Sequence, residues 1–320
     1  YGSTIPAEMS TFPTAQMFYP AAGVMLAYLL TEGKDSLVPK WFYFCFLLIT
    51  LVMVILCVLS VTMPEQTIAV MGQPVSLWAM AAQYLTIGGS ILCWLTLLMS
   101  GKKRRAAWGL GWKKWKASLF CILVFLLLYF GRAAVAYAME GTPEAMAETL
   151  KDPAAWAYIL FVPVNFLLAF APFFGEEYGW RYYLQPLLQK RFGMRTGVLI
   201  LGAAWGVWHV FLDFFFYTTP DRGLIMLTSQ TITCITLGIF FAWAYLKTGN
   251  IWVPVIMHFL NNNLILVIAN DYSADVIENQ QVTWGMIPSA LLLNGIVFGL
   301  FLLSKEFRGT RRRDGQKVDG

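Results

Sequence analysis

Apolar residues along this chain come in long blocks. Runs of roughly 17 to 25 hydrophobic residues, the length a helix needs to cross about 30 Å of hydrocarbon, lie at 41–62, 76–100, 117–138, 154–175, 196–217, 224–246, 250–269 and 286–304. A ninth, shorter run occupies 16–30. The pattern predicts an all-α fold, a polytopic membrane helical bundle with eight core transmembrane helices plus a short N-terminal hydrophobic helix. Polar connections are short, about fifteen residues at 139–153 and 270–285, so no soluble domain is expected. The first run, MFYPAAGVMLAYLL, has the length of a signal peptide. No basic residue precedes it and no small-x-small site follows before Glu32 and Lys34, so it reads as a retained helix. The chain opens on Tyr1, and Met9 is a possible initiator.

Composition agrees with the pattern. At 58% hydrophobic and 13% charged, the chain is too apolar for an ordinary soluble domain of its length. Charge then orients the bundle. With the N-terminus outside and nine alternating segments, the inward loops 31–40, 101–116, 176–195, 247–249 and 305–320 hold 20 of the 23 Lys and Arg. The outward loops hold Lys151 and Arg222, and Arg132 lies within a segment. This asymmetry is what the positive-inside rule requires, and it makes the tail with Arg311, Arg312 and Arg313 cytoplasmic. The basic clusters at 101–105 and 113–116 flank apolar helices and interleave with Trp108, Trp112 and Trp115. Anchoring to anionic headgroups accounts for them without nucleic acid. The five cysteines, Cys45, Cys57, Cys93, Cys121 and Cys234, all fall in apolar runs without a CxxC, and they read as small buried hydrophobes.

Three regions follow: N-terminal transmembrane helices with a basic cytoplasmic loop (1–153), a polar-rich core (154–269), and a last transmembrane helix with a basic cytoplasmic tail (270–320). GAAWG (202–206) and GIVFG (295–299) have the small-xxx-small spacing of closely packed membrane helices. Pro163 and Pro172 predict a kink in the fifth segment, beside protein or a polar cavity.

The polar intramembrane residues concentrate between Asn165 and Asn263; the first four segments carry little besides Gln83 and Arg132. Ionisable groups at membrane depth cost roughly 2.5 to 3.5 kcal/mol on insertion scales and mark function by default. The chain has two histidines, His209 and His258, both inside apolar runs and downstream of a carboxylate pair, Glu176 and Glu177. Adjacent helical residues diverge by about 100°, so the two acids should have different jobs. Glu177 and Arg181 are four apart with the acid first, the favoured order for a helical ion pair. Glu176 is left without that partner, and a desolvated carboxylate suits a general base or acid. Trp205, His209 and Asp213 form an i, i+4 stripe in which Asp213 is expected to accept the His209 Nδ1 proton. His258 and Asn262 share a face one turn apart and can aim two donors at an oxyanion. Taken singly, each feature has a plain structural reading, a helix-to-helix hydrogen bond or a solvated helix end.

Together, EEYGWR (176–181), WGVWH (205–209) and HFLNN (258–262) resemble the EExxxR, FxxxH and HxxxN motifs of the CPBP intramembrane proteases, the CAAX protease and bacteriocin-processing family, also called Abi. The resemblance covers about a third of the chain and makes 154–269 a CPBP/Abi-like catalytic core. Trp205 stands where the family has phenylalanine, which bears on pocket shape. The resemblance implies that Glu176 and His209 activate a water, that His258 and Asn262 stabilise the oxyanion, and that Glu177 and Arg181 shape the site. It implies an endopeptidase acting on a membrane-associated peptide or protein, with no cofactor favoured. Zinc on Glu176, His209 and His258 is the alternative, since two imidazoles and a carboxylate are ligands of catalytic zinc. A non-catalytic membrane scaffold or regulator of the same fold is the competing function, followed by a proton-coupled transporter. One geometric demand stands out. Counted at about 1.5 Å per residue from the inner loops, His258 lies about 12 Å deep, His209 about 20 Å, and Glu176 near the inner edge. Helix tilt, a break at Pro172 or a later start of the sixth segment would have to bring them level.

Overall fold

The computed structural model describes residues 9–70, 73–273 and 276–308. The expected tail arginines at 311–313 lie outside them. The chain forms α1 (Thr11–Thr31), α2 (Lys40–Thr62), a small antiparallel hairpin of β1 (Thr67–Val70) and β2 (Gln73–Ser76), α3 (Leu77–Met99), α4 (Gly101–Ala107), α5 (Trp115–Met139), α6 (Pro143–Lys151) and α7 (Pro153–Ala169). There follow α8 (Ala171–Glu177), a π-helical turn (Tyr178–Leu184), α9 (Gln185–Phe192), α10 (Met194–Trp208), α11 (Val210–Phe215), α12 (Gly223–Thr248), α13 (Trp252–Ala269) and α14 (Met286–Val297). This is a polytopic helical membrane bundle.

Among the described residues, six helical stretches are long and apolar enough to span a membrane: 40–62, 77–99, 115–139, 194–215, 220–248 and 252–269. The pair α6 and α7, bent by 72°, makes up to a seventh. Two expected segments differ. The run at 286–304 is a helix of 12 residues continued by a 3-10 turn at Gly299–Leu303, too short to cross straight. The N-terminal helix is longer than its apolar run, 21 residues, and does not pass as a span. Its buried face, including Ala15, Gln16, Phe18 and Ala21, packs inside the bundle.

The largest difference lies at 176–195, which looked like a charged inner loop. Helix α7 ends at Ala169, and past Phe170 a new helix begins with Pro172 in its first turn, where the missing N–H breaks no bond. That helix runs on through the π turn to Phe192. The chain then reverses at Gly193, whose φ of +87° suits only glycine, and α10 packs back on α9. Glu176 therefore lies about 25 Å up one arm of a helical hairpin, and His209 about 24 Å up the other. The break and the buried second arm, rather than tilt, bring the acid level with the first histidine.

Glycines set the closest approaches. On α10, a Cβ at Gly202 or Gly206 would lie 2.6 Å from the Cα of Ile235 or Thr231, so GAAWG is the seam against α12. GIVFG is not such a seam. Among the described residues nothing comes within 4 Å of a Cβ at Gly295, and one at Gly299 meets a Thr236 methyl at 3.7 Å and the Asn294 carbonyl oxygen at 3.9 Å, ordinary contacts. A motif missed in the sequence, Gly175 and Gly179, does this work instead. Their Cβ positions lie 2.4 Å from the Met17 carbonyl oxygen and 2.3 Å from Pro20, which seats the acid-bearing helix directly on α1.

The loops sort into two ends. Arg104 Nε donates to the Ser36 carbonyl, Lys114 Nζ to the Lys247 carbonyl, and Lys247 meets Glu306 at 3.5 Å. Residues 193–196 share a surface hollow with Phe307 and Arg308. All five basic segments thus gather at one end of the bundle. At the other, the 216–222 connection is hydrogen-bonded to residues 279–281, with Gln280 N donating to the Tyr217 carbonyl at 2.7 Å.

Candidate active site

Trp205 sits at the centre of the polar core. Its indole Nε1 donates to Glu176 Oε2 at 2.6 Å, and its backbone carbonyl lies 2.8 Å from His209 Nδ1. A carbonyl only accepts, so Nδ1 carries the proton, and in the neutral ring Nε2 keeps its lone pair. The Trp205 carbonyl is free for this because α10 ends here. The His209 amide turns back to Gly206, three residues earlier, at 3.0 Å, and leaves the i−4 oxygen to the imidazole.

That same break overturns the expected role of Asp213. An i, i+4 stripe assumes a continuous helix, but the helix is interrupted at His209, and the acid to which the ring proton was assigned does not receive it. Asp213 is fully buried, and among the described residues neither of its carboxylate oxygens has a hydrogen-bond partner.

Glu177 faces the other way from Glu176, as divergence on a helix demands. Its Oε2 accepts from Arg181 Nε at 2.9 Å, and its Oε1 from His258 Nδ1 at 3.0 Å. Glu177 and Arg181 have 0% exposed side chains. Arg181, counted from the sequence with an inward loop, is part of the core. Its guanidinium lies over Trp205 at 5.0 Å and Phe241 at 5.6 Å, rings that cover the cation where water cannot. Removing one partner from such a buried pair costs about 3–5 kcal/mol, because the other charge is left uncompensated. The π turn carrying Arg181 bonds the Gln185 amide to the carbonyl of Trp180, a ladder irregularity frequent at functional sites.

A cavity of about 330 Å³ opens beside these groups. Trp205, His209, His258 and Asn262 all line it, whereas Glu176 and Glu177 lie behind that wall, buried. His258 stands edge-on to Trp205 with ring centroids 5.4 Å apart. Asn262 Oδ1 accepts from Asn261 Nδ2 at 3.0 Å, which leaves the Asn262 NH2 as its free donor. The structure thus brings Glu176, Trp205 and His209 into one bonded chain and Arg181, Glu177 and His258 into another. Trp205 touches both. It departs from the usual phenylalanine by more than shape, since it supplies an N–H that phenylalanine lacks.

Some lining residues had not been read as part of a site: Tyr129, Cys234, Asn261 and Asn294. Only Arg132, which donates from Nη1 to Asn294 Oδ1 at 3.1 Å and also lines the cavity, had announced itself, as a lone charge in an apolar run. Among the described residues no group of three or more His, Cys, Asp or Glu is arranged to hold a metal ion. The Glu176 carboxylate is turned to an indole, and the Nδ1 atoms of both histidines are bonded to oxygen acceptors.

Comparison with known proteins bears on the same residues. The family "Type II CAAX prenyl endopeptidase Rce1-like" matches residues 154–264, which contain all three motifs. A CAAX prenyl protease 2 of Methanococcus maripaludis is 34% identical over 107 residues, 32% of this chain. The match spans 39% of that relative's length. No solved structure matches.

Proposed function

Starting from a segment, 154–264, that matches the Rce1-like CAAX prenyl endopeptidases and carries the CPBP motifs, we propose that this integral membrane protein is an intramembrane endopeptidase. It hydrolyses a peptide bond in a membrane-associated protein or peptide, in the manner of a CAAX protease or of bacteriocin and peptide-signal processing. We place it in a bacterial cytoplasmic membrane, N-terminus outside and C-terminus cytoplasmic. The observation that carries the reading is the double hold of Trp205 on Glu176 and His209, in the wall of a cavity shared with His258 and Asn262.

In this reading a water enters the cavity, and its oxygen attacks the scissile carbonyl carbon. Its proton passes to the acid–base pair, His209 Nε2 and the Glu176 carboxylate. The carbonyl oxygen becomes an oxyanion that accepts from Asn262 Nδ2 and, when the ring carries its second proton, from His258 Nε2. As the C–N bond breaks, the held proton goes to the departing amine. Glu177 and Arg181 fix the His258 ring and the Trp205 face without meeting substrate. No step uses a metal.

The test is a peptide-release assay on membrane-associated candidates. Glu176→Ala should lose about 10²–10⁴-fold in rate at unchanged membrane content, and chelator should leave the intact enzyme active. A scaffold of the same fold predicts a Glu176→Ala protein with undiminished function, and that result would remove the peptidase reading.

A further inference from the structure

The cavity has a mouth, and its place in the bundle is informative. Tyr217, Ile277 and Gln280 line it, and these belong to the connections 216–222 and 276–285. Gln280 is exposed. No residue of the basic segments lines it. The basic end holds two Lys/Arg in 32–40, seven in 101–116, three in 190–195, Lys247, and two in 305–308. Among the described residues, the other end holds Lys151 and Arg222 alone. Lys and Arg in short loops stay on the cytoplasmic side, and a bias this strong fixes orientation.

Resting on the peptidase reading above, we propose that the catalytic cavity opens to the extracytoplasmic face, so that its substrates are peptides presented at the outer leaflet after export. A lipidated C-terminus on the cytoplasmic leaflet would approach the wrong end. It would meet the wall formed by the 101–116 loop, where Trp252 Nε1 donates to the Leu110 carbonyl at 3.0 Å and Tyr178 OH to the Trp108 carbonyl at 3.0 Å. Of the reacting groups, His209 and Asn262 lie nearer the far end of their helices and His258 nearer the basic end. His258 and Asn262 lie about 10 and 15 Å along α13 from the basic end, and His209 about 22 Å along α10.

The test is cysteine accessibility in intact cells with a membrane-impermeant charged maleimide. Gln280→Cys and Thr283→Cys mark the mouth, Lys103→Cys marks the basic end, and the wild type controls for its native thiols. The mouth variants should label in intact cells as fully as in permeabilised ones, with Lys103→Cys labelling at least tenfold more after permeabilisation. Labelling of Lys103→Cys in intact cells, with the mouth positions protected, overturns the assignment. Labelling requires no turnover, so an inactive enzyme sinks the peptidase reading and leaves this result standing. A peptide cleaved by solubilised enzyme but not when added outside intact cells would also overturn the outward-facing site.

Discussion

Two cavities of nearly equal size lie on either side of the α8–α13 contact, about 330 Å³ beside Trp205 and about 310 Å³ beside Gln83. The second is lined by Thr11, Thr14, Gln83, Asn165 and Asn263, a polar set without an acid, an imidazole or a cation. The first holds two imidazoles, five side-chain amides, the Arg132 guanidinium and, just behind its wall, two carboxylates. The ring of Phe173 stands between them: it lines the second cavity and meets His258 edge-on at 5.3 Å. Under the proposed peptidase reading, volume does not separate the reaction chamber from a packing defect. Convergent groups able to take and give protons do.

His209→Ala should break the comparison most severely, since it removes from the first cavity the imidazole that the Trp205 carbonyl orients. Rates should fall about 10²–10⁴-fold, the usual worth of a positioned acid–base group, with the protein still in the membrane. A loss under tenfold in single-turnover peptide release would mean that the imidazole is structural. Asn262→Ala comes next, with an expected drop of about 10²–10³-fold for a missing oxyanion donor. It should appear in kcat rather than KM, because the donor is needed only as charge develops.

Trp205→Phe sharpens the question of what holds the first cavity in order. It restores the ring usual in the CPBP pattern, deletes the N–H on Glu176 and leaves space where the larger buried indole stood. A hydrogen bond to a charged group contributes about 1.5–3 kcal/mol, so kcat/KM should fall roughly tenfold to a hundredfold, and thermal unfolding in detergent should move to lower temperature as well. Equal activity in the two proteins would show that the 2.6 Å bond positions nothing that matters.

The same contrast explains what could be read from the chain. Apolar runs at 41–62 and 117–138 became α2 and α5 within a few residues, because membrane length is written directly in hydrophobicity. The Glu177–Arg181 pair followed from spacing on one helix. Where the reading failed, tertiary structure had overridden a local rule. Residues 176–181 looked solvated because they are charged, yet Glu176, Glu177 and Arg181 are buried, on a helix seated against α1 and under the rings of Trp205 and Phe241. The Asp213 stripe failed at a helix end that one backbone bond created. Which small-xxx-small motif makes a seam depended on neighbours, so Gly175 and Gly179 were missed and Gly295 overvalued.

The smallest expected effect is the most discriminating. In the second cavity Asn165 Nδ2 donates to Asn263 Oδ1 at 3.0 Å, the same oxygen that accepts from Tyr158 OH at 3.3 Å. Asn263 Nδ2 meanwhile donates to the Phe259 carbonyl at 2.8 Å. Asn165→Ala therefore removes one bond without stranding its partner, and stability should drop by about 1 kcal/mol. Activity can be touched only through the rings of Phe259 and Phe173, which are packed at 5.2 Å on each other and are not reoriented by a lost amide at the cavity edge. Peptide release should stay within about twofold of wild type, since substitutions that leave no polar group unpaired have small effects. A tenfold loss with the melting temperature preserved would mean that substrate reaches past Phe173 into both chambers, and the division between reactive and inert space drawn above would have to be given up.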